Sequence, residues 1–410
     1  MNRFFFALAL LLVPEYALAQ PAPNFCGGTI VAGDLMVAGN SAIPGCLVDS
    51  GLSPTGILPE TPLNRNPEFS IDQPNEGTTI ALNGQPVFLI DGWHGYTNFG
   101  GHISTARVLS NSAGPPGYVS FWSASQTSSF TLSASLFSRA ITNLEGVDVA
   151  PLLWGTSAAE PLSVDVCLFA NYAGTYSAFL ANSSGTLSYI LDFSMPLPNA
   201  WQCFHKTVPG PTTGTWNNTA NSIGLVFGFN FFSGTTYQTT GGAWQSGVYY
   251  SDGSTTQLVT TGMALDITAL HIYPGSIARP YQPRSIAQEL AFDSRFARKS
   301  FPIGTRPVQN SGVTRGAVAL IAPFAQATSG TVGAWVGYPA MYQGGGNIVN
   351  TFYSPSAATA NCYDVTHTTD AGAAFVVNQG DTGMLVECTL ASNDTLGDLL
   401  QVHYLIDTGT

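Results

Sequence analysis

The stretch LHIYPGSIARPYQPRSIAQEL, Leu270 to Leu290, decides how the chain is divided. Its first residues read as the end of an aromatic strand. Pro274, Pro280 and Pro283 then interrupt regular structure, because proline lacks an N–H and drives its predecessor into extended backbone. Ser285 with Gln288 three residues on has capping-box spacing, so a helix is expected to start there. That helix, within 284–299, is expected to run to about Arg298 with Ile286, Leu290 and Phe296 on one face. A long strand-rich region therefore ends here and a shorter one follows.

Upstream, residues 66–283 repeat short strand patterns: Thr79–Leu82, Pro86–Ile90, Tyr118–Ala124, Phe130–Phe137, Leu162–Phe169, Tyr176–Leu180, Thr186–Phe193, Cys203–Val208, Ile223–Phe229 and Met263–Ile272. Turn signals such as Asn83-Gly84, Ser184-Gly185 and Asp252-Gly253 separate them. Many short strands without intervening helices point to an all-β, two-sheet sandwich. The span is long for one sandwich, so 139–161 and 233–256 read as inserted loops or hairpins. Downstream, residues 300–410 read as a smaller C-terminal β domain, with strands at Gly316–Pro323, Ile348–Tyr353, Ala373–Val377, Met384–Leu390 and Leu400–Ile406. Residues 20–65 offer too little apolar area for a core. They read as an extended attachment arm, with Pro54, Pro59 and Pro62 stiffening its end.

Composition agrees with this division. The chain has 410 residues, 45% hydrophobic but only 9% charged, against a usual charged share of about 25%. With 44 Gly and 26 Pro it is rich in tight turns. Scarce charge leaves strand edges few gatekeepers, which implies that edges are paired or covered. A net charge of −12 argues against nucleic-acid binding, since phosphates would be repelled. Arg279, Arg284, Arg295, Arg298 and Lys299 cluster near the junction. They are expected to form a solvated helix face ion-paired to Glu289 and Asp293 rather than a basic docking patch.

The first nineteen residues resemble a secretory signal. Arg3 is followed by the apolar run Phe4–Val13 and by Ala17-Leu18-Ala19 before Gln20. The six cysteines fall two per region: Cys26 and Cys46, Cys167 and Cys203, Cys362 and Cys388. This distribution favours local bridges in an oxidising compartment, and buried thiols in a reducing one.

No G-x-S-x-G, H-E-x-x-H, P-loop or helix-opening G-x-G-x-x-G is present, so no catalytic residue, cofactor or metal is expected. The histidines His94, His102, His205, His271, His367 and His403 fall in no tight ligand spacing. The closest acidic neighbours, Glu145 with Asp148 and Asp364 with Asp370, lack the guaranteed 5–9.5 Å placement, roughly, that glycoside hydrolysis requires. Asp72, Asp91 and Asp266 are the oxygen donors available for a loop calcium.

Three segments share a further pattern. Asn66, Pro67, Phe69, Ile71 and Gln73 open the sandwich region, Asp91 and Trp93 follow, and Gly275, Ala278, Pro280, Arg284, Ser285, Glu289 and Leu290 close it. Together they resemble the jelly-roll, carbohydrate-binding-like module of bacteriophage tail-fibre and other virion proteins. The run Phe352-Tyr353-Ser354-Pro355-Ser356 is similar to a segment of the short β module that ends those chains. The resemblance covers most of 64–410. It implies a virion structural protein that attaches to a host surface glycan without catalysis, meets other virion proteins through its arm, and forms a homo-oligomer, by analogy a trimer. The export signal departs from the family. It favours as rival a secreted carbohydrate-binding or surface protein, while a polysaccharide depolymerase would need clustered acids.

Sugars present a C–H face and a rim of hydroxyls, so a site for them pairs aromatic platforms with amides. The run Asp91–Phe99, read as a flexible Gly-rich loop, supplies that mixture in Trp93, Tyr96 and Asn98, although Trp93 alone fits the core better. Trp244, Tyr249 and Tyr250 in the 233–256 segment are the other candidates.

Overall fold

The computed structural model describes residues 62–110, 113–219, 222–277, 284–323, 330–339, 341 and 348–408. The chain divides into Met1–Pro59 and Glu60–Thr410. The signal-like segment, nearly all of the arm, Cys26 and Cys46 lie outside the described residues, as do Ala278, Arg279, Pro280 and Pro283 of the junction.

Two antiparallel sheets form the jelly-roll sandwich. One runs in the order β1 (Ile80–Ala81), β4 (Ile103–Leu109), β5 (Ser120–Gln126), β13 (Ala264–Pro274), β7 (Leu162–Ala170) and β10 (Ala200–Val208). The other runs β12 (Trp244–Ser246), β9 (Leu187–Met195), β8 (Gly174–Asn182), β11 (Ile223–Ser233), β6 (Phe137–Glu145), β3 (Trp93–Thr97) and β2 (Val87–Ile90). The chain passes repeatedly from one sheet to the other, which brings the inner faces of both onto one core. Trp93 on β3 and Trp122 on β5 meet there at 5.7 Å, with Phe227, Phe229 and Phe231 around them. Fully burying one such side chain stabilises by about 1.5–3 kcal/mol. A disulfide joins Cys167 to Cys203, directly opposed on β7 and β10.

Two expectations fail here. Asp91–Phe99 is not a flexible loop, since Trp93–Thr97 pairs with both β2 and β6. Residues from 139 onward are not surplus either, because β6 lies between β11 and β3 in the middle of its sheet. Its inward residues are Ser138, Ala140, Thr142 and Leu144, all buried. Small and hydroxylated side chains on the inward face hide the alternation that usually marks a strand.

The described end of the arm also joins the sandwich. Leu63 N donates to Ile272 O, and the Asn64 amide bridges Leu270 O and Ile272 N, each bond 2.7–2.9 Å.

The helix starts as expected, with the reciprocal Ser285–Gln288 capping box, but ends at Asp293. Residues Ala297–Lys299 instead form β14 on β21 (Leu399–Asp407). Its buried residues are Glu289 and Asp293, whereas Ile286 is 57% exposed. Among the described residues the expected apolar stripe is not found, and the expected ion pair to Glu289 forms through Arg284 but buried rather than solvated. The carboxylates spaced i, i+4 point inward, where Arg284 pairs with Glu289.

The C-terminal part of the chain centres on β21. It pairs with β14, β15 (Val318–Ile321), β17 (Val349–Tyr353) and β18 (Asn361–Asp364), and the sheet continues through β19 (Thr369–Gly380), β20 (Gly383–Thr389) and β16 (Thr331–Gly337). Leu320, Met384, Val386, Leu400, Val402 and Ile406 form its core beside the Cys362–Cys388 disulfide.

Candidate ligand-binding groove

The three landmark segments converge, but on a buried joint. The Asn66 side chain donates to Ile71 O (2.8 Å) and Asp91 O (3.3 Å), and its backbone N–H donates to Glu289 of the helix. Asp91 Oδ2 accepts from Gln73 N (2.8 Å), and the Gln73 amide reaches Ala297 O (2.8 Å) on β14. Cations close the joint: Arg284 on Glu289 (3.0 Å), Arg295 on both oxygens of Glu145 (2.8 and 2.9 Å), Lys299 on Glu76, and Arg107 on Glu76 (3.3 Å). The Arg65 guanidinium lies 3.2 Å from the Phe296 ring centroid. Asn66, Phe69 and Glu76 adopt positive φ of 48–54°, a strained conformation that only a surrounding network of bonds sustains. Asp91 and Asp293 are fully buried, and desolvation pushes both well above the usual carboxylate range. Glu145, one member of the acidic pairs weighed above, is held in the Arg295 fork. Asp72 accepts from Asn75 N and Gly77 N, while Asp266 lies on β13 opposite Ser123, so the supposed calcium donors do not gather.

The outer face of the seven-stranded sheet is different. Strand alternation places His94 and Tyr96 of β3 and Arg139, Ile141 and Asn143 of β6 outward. Register sets Tyr96 opposite Arg139 and His94 opposite Ile141. The next strands continue this sheet face with Val226, Gly228, Phe179, Ala181, Ile190 and Ser188, of which Phe179 and Ile190 are buried in a cluster with Tyr250. Gly228 is required here, because a Cβ would collide with the Phe179 ring and come within 2.6 Å of Ala140 O. One wall is the excursion between β11 and β13. Its Tyr237 and Tyr250 pack on Phe137 (4.8 and 5.2 Å), and Tyr250 on Phe179 (4.9 Å).

This face holds two adjoining hollows that share Arg139 and Ile141. One, of about 450 Å³, is lined by Pro86, His94, Gly95 and Tyr96; the other, of about 690 Å³, by Asn143, Ser183, Ser188, Val248 and Tyr250. Arg139 lies 4.6 Å from the Tyr250 centroid and within 6 Å of Phe137 and Phe179. Burial lowers its pKa, a trend the hydroxyls of Tyr250, Tyr96 and Tyr237 oppose. Three buried polar atoms along the groove, His94 Nε2, Arg139 Nε and Asn143 Oδ1, have no hydrogen-bond partner. His94 Nε2 stands 3.8 Å from Asp407, beyond hydrogen-bond reach.

The sequence candidates divide accordingly. Tyr96 lines the groove, and Tyr249 packs beside the aromatic cluster beneath it. Trp93 is 1% exposed on the opposite, inner face. Asn98 is committed at both ends, donating to Ser135 O and accepting from Phe137 N at 2.7 Å each. Trp244 packs between Trp154, Trp216 and Tyr189 and donates to Pro209 O. Arg139, Asn143 and Tyr237 were missed. The i, i+2, i+4 placement of Arg139, Ile141 and Asn143 was the available signal, obscured once β6 was read as a loop.

One histidine does join a compact group. His367 Nδ1 lies 2.6 Å from Asp364 Oδ2 and 3.2 Å from Asp398 Oδ2, although sequence spacing suggested no such cluster. The Asp364 hydrogen bond first, and the nearby carboxylates after it, raise the His367 pKa. An imidazolium balancing buried acids accounts for the arrangement.

Neither a family model nor a curated protein matches the chain. Among solved structures, it overlaps the enzymatically active domain of bacteriophage CBA120 tailspike protein 4 at 7% identity and TM-score 0.27, over 45% of this chain and 19% of that one. A family 11 carbohydrate-binding module of Clostridium thermocellum overlaps at 9% identity and TM-score 0.27, over 49% and 98% of the two chains. A sugar-binding protein of Bacteroides thetaiotaomicron, described as putative, overlaps at 9% and 0.28, over 52% and 100%. Overlaps of this size leave the reading of the groove to its own residues.

Proposed function

We propose that this chain is a non-catalytic adhesion protein whose outer sheet face binds an oligosaccharide. The observation behind this reading is the row His94, Arg139 and Asn143. Their buried polar atoms have no hydrogen-bond partner, and the groove around them is lined by Tyr96, Ile141, Val248 and Tyr250. Leaving a buried donor or acceptor unmade costs about 1–3 kcal/mol, a cost a ligand's hydroxyls relieve. Residues 139 and 143 are four apart on a strand, about 13 Å, which suits a ligand of several sugar units rather than one.

The setting we favour is a phage tail fibre or spike, in which the arm meets other virion proteins and oligomerisation, by analogy trimeric, multiplies weak glycan contacts. A second setting, a secreted or surface carbohydrate-binding protein, gains from the Cys167–Cys203 and Cys362–Cys388 disulfides, which persist in oxidising compartments. A glycan array probed with the full chain tests the binding. Retention of a glycan by the wild type, lost in Tyr96→Ala and Asn143→Ala chains of unchanged melting temperature, is expected. No glycan above background would end the reading. Mass spectrometry of purified particles separates the settings: an intact Met1 favours the virion, a Gln20 terminus export.

A further inference from the structure

Neutral sugars account for rings and amides but give a guanidinium no charge to pair with. Among the described residues the Arg139 side chain makes no hydrogen bond or ion pair, in a protein whose net charge is −12. The contrast with the joint is sharp. Arg107, Arg284, Arg295 and Lys299 each sit on a carboxylate there, within 3.3 Å or less of its oxygens. Arg139 is half-buried at the shared wall of both hollows, touching rings only. Contact with Tyr250 holds the guanidinium by its charge and leaves its N–H donors unused. A guanidinium presents a planar fork of donors matched to a planar carboxylate, which it grips through two parallel bonds.

Resting on the reading of the groove as a glycan site, we propose that its ligand is an acidic polysaccharide and that Arg139 binds the carboxylate of a hexuronate residue. Tyr96, directly across the strand pair, and Tyr250 flank that position. A pyranose ring packed against Tyr96 would direct its C6 carboxylate at the guanidinium. The hydroxyl-rich neighbours in the chain of sugars would run from Arg139 past His94, which is level with Ile141, toward Asn143.

The test is a glycan array carrying uronate-containing, neutral and sulfated oligosaccharides, followed by calorimetry with the best uronate ligand and its methyl ester. Retention of uronate glycans is expected, with affinity falling at least tenfold on esterification. Arg139→Met should lose a similar factor and Arg139→Lys less, since lysine keeps the charge without the fork. The ester arm needs no variant, so a misfolded substitution does not decide the result. Equal binding of acid and ester, or of neutral glycans by wild type and Arg139→Met alike, would overturn the proposal while leaving the groove a sugar site. Preference for sulfated over uronate glycans would overturn it too. Binding of no glycan would remove both readings together.

Discussion

The buried joint and the open groove use the same materials to opposite ends. Each gathers arginine and aromatic rings on β-strand framework. In the joint, Arg284, Arg295 and Lys299 meet Glu289, Glu145 and Glu76, so the charges satisfy one another and hold the sandwich, helix and C-terminal strand together. In the groove, Arg139 meets rings and its donors stay unused. The paired charges of the joint are architecture, whereas half-buried Arg139 with its unpaired guanidinium is an opening for a ligand. The three landmark segments belong to the first kind, although their resemblance first drew attention to them as a functional module.

Four experiments bear on that contrast. The largest effect concerns acid. His271 on β13 is driven down to about 3, by burial first and by the Arg284 charge second. Its folded pKa lies below the unfolded value of about 6.5, so its share of stability is full above that pH and is lost as pH falls toward 3. That share is on the order of 4 kcal/mol, and a His271→Gln chain should show a correspondingly flatter loss in denaturant titrations between pH 6.5 and 3.

Removing Arg295 should cost on the order of 3 kcal/mol, because Glu145 would stay buried without its fork. Urea titration of Arg295→Met measures it. A change below 0.5 kcal/mol or so would mean that the joint is not held by its charges.

Tyr96→Ala should weaken glycan binding about tenfold, the size of one aromatic contact, with the melting temperature unchanged. A large fall in stability instead would make Tyr96 a framework residue.

The smallest effect runs the other way. Asp293 is fully buried with neither carboxylate oxygen hydrogen-bonded, and its pKa is raised by desolvation, then by Asp91 and Glu289. A raised folded value means its stability share is lost as pH rises through it. Asp293→Asn should therefore stabilise the protein near pH 8, by about 1 kcal/mol, and calorimetry there would show it.

Much of the fold was legible in local pattern. Strands such as Leu162–Ala170, Leu187–Met195 and Leu399–Asp407 are long, apolar and bounded by turn residues, and the Ser285–Gln288 cap appears where its spacing placed it. What escaped were elements whose burial depends on neighbours. Trp93–Thr97 holds a glycine between His94 and Tyr96, and Phe137–Glu145 turns serine, alanine and threonine inward, so neither shows the alternation of a half-buried strand. The helix misled for a related reason. Its sequence offers Ile286 and Leu290 as an apolar face, yet Glu289 and Asp293 face inward, Glu289 meeting Arg284 five residues before it and the Asn66 N–H from a segment far away in sequence. For the groove, Tyr96 and Tyr249 could be proposed from residue type, but Arg139 could not.

By itself, then, the sequence determined the all-β class and the start of the helix at Ser285. Those follow from turn residues, alternation and capping, whose physics is contained within a few neighbouring residues. Only the tertiary structure decided which charges are paired and which side chain is left waiting. That depends on strand register and on segments such as 237–250 folding across a distant sheet, and no local pattern encodes a distance between residues brought together from opposite ends of the fold.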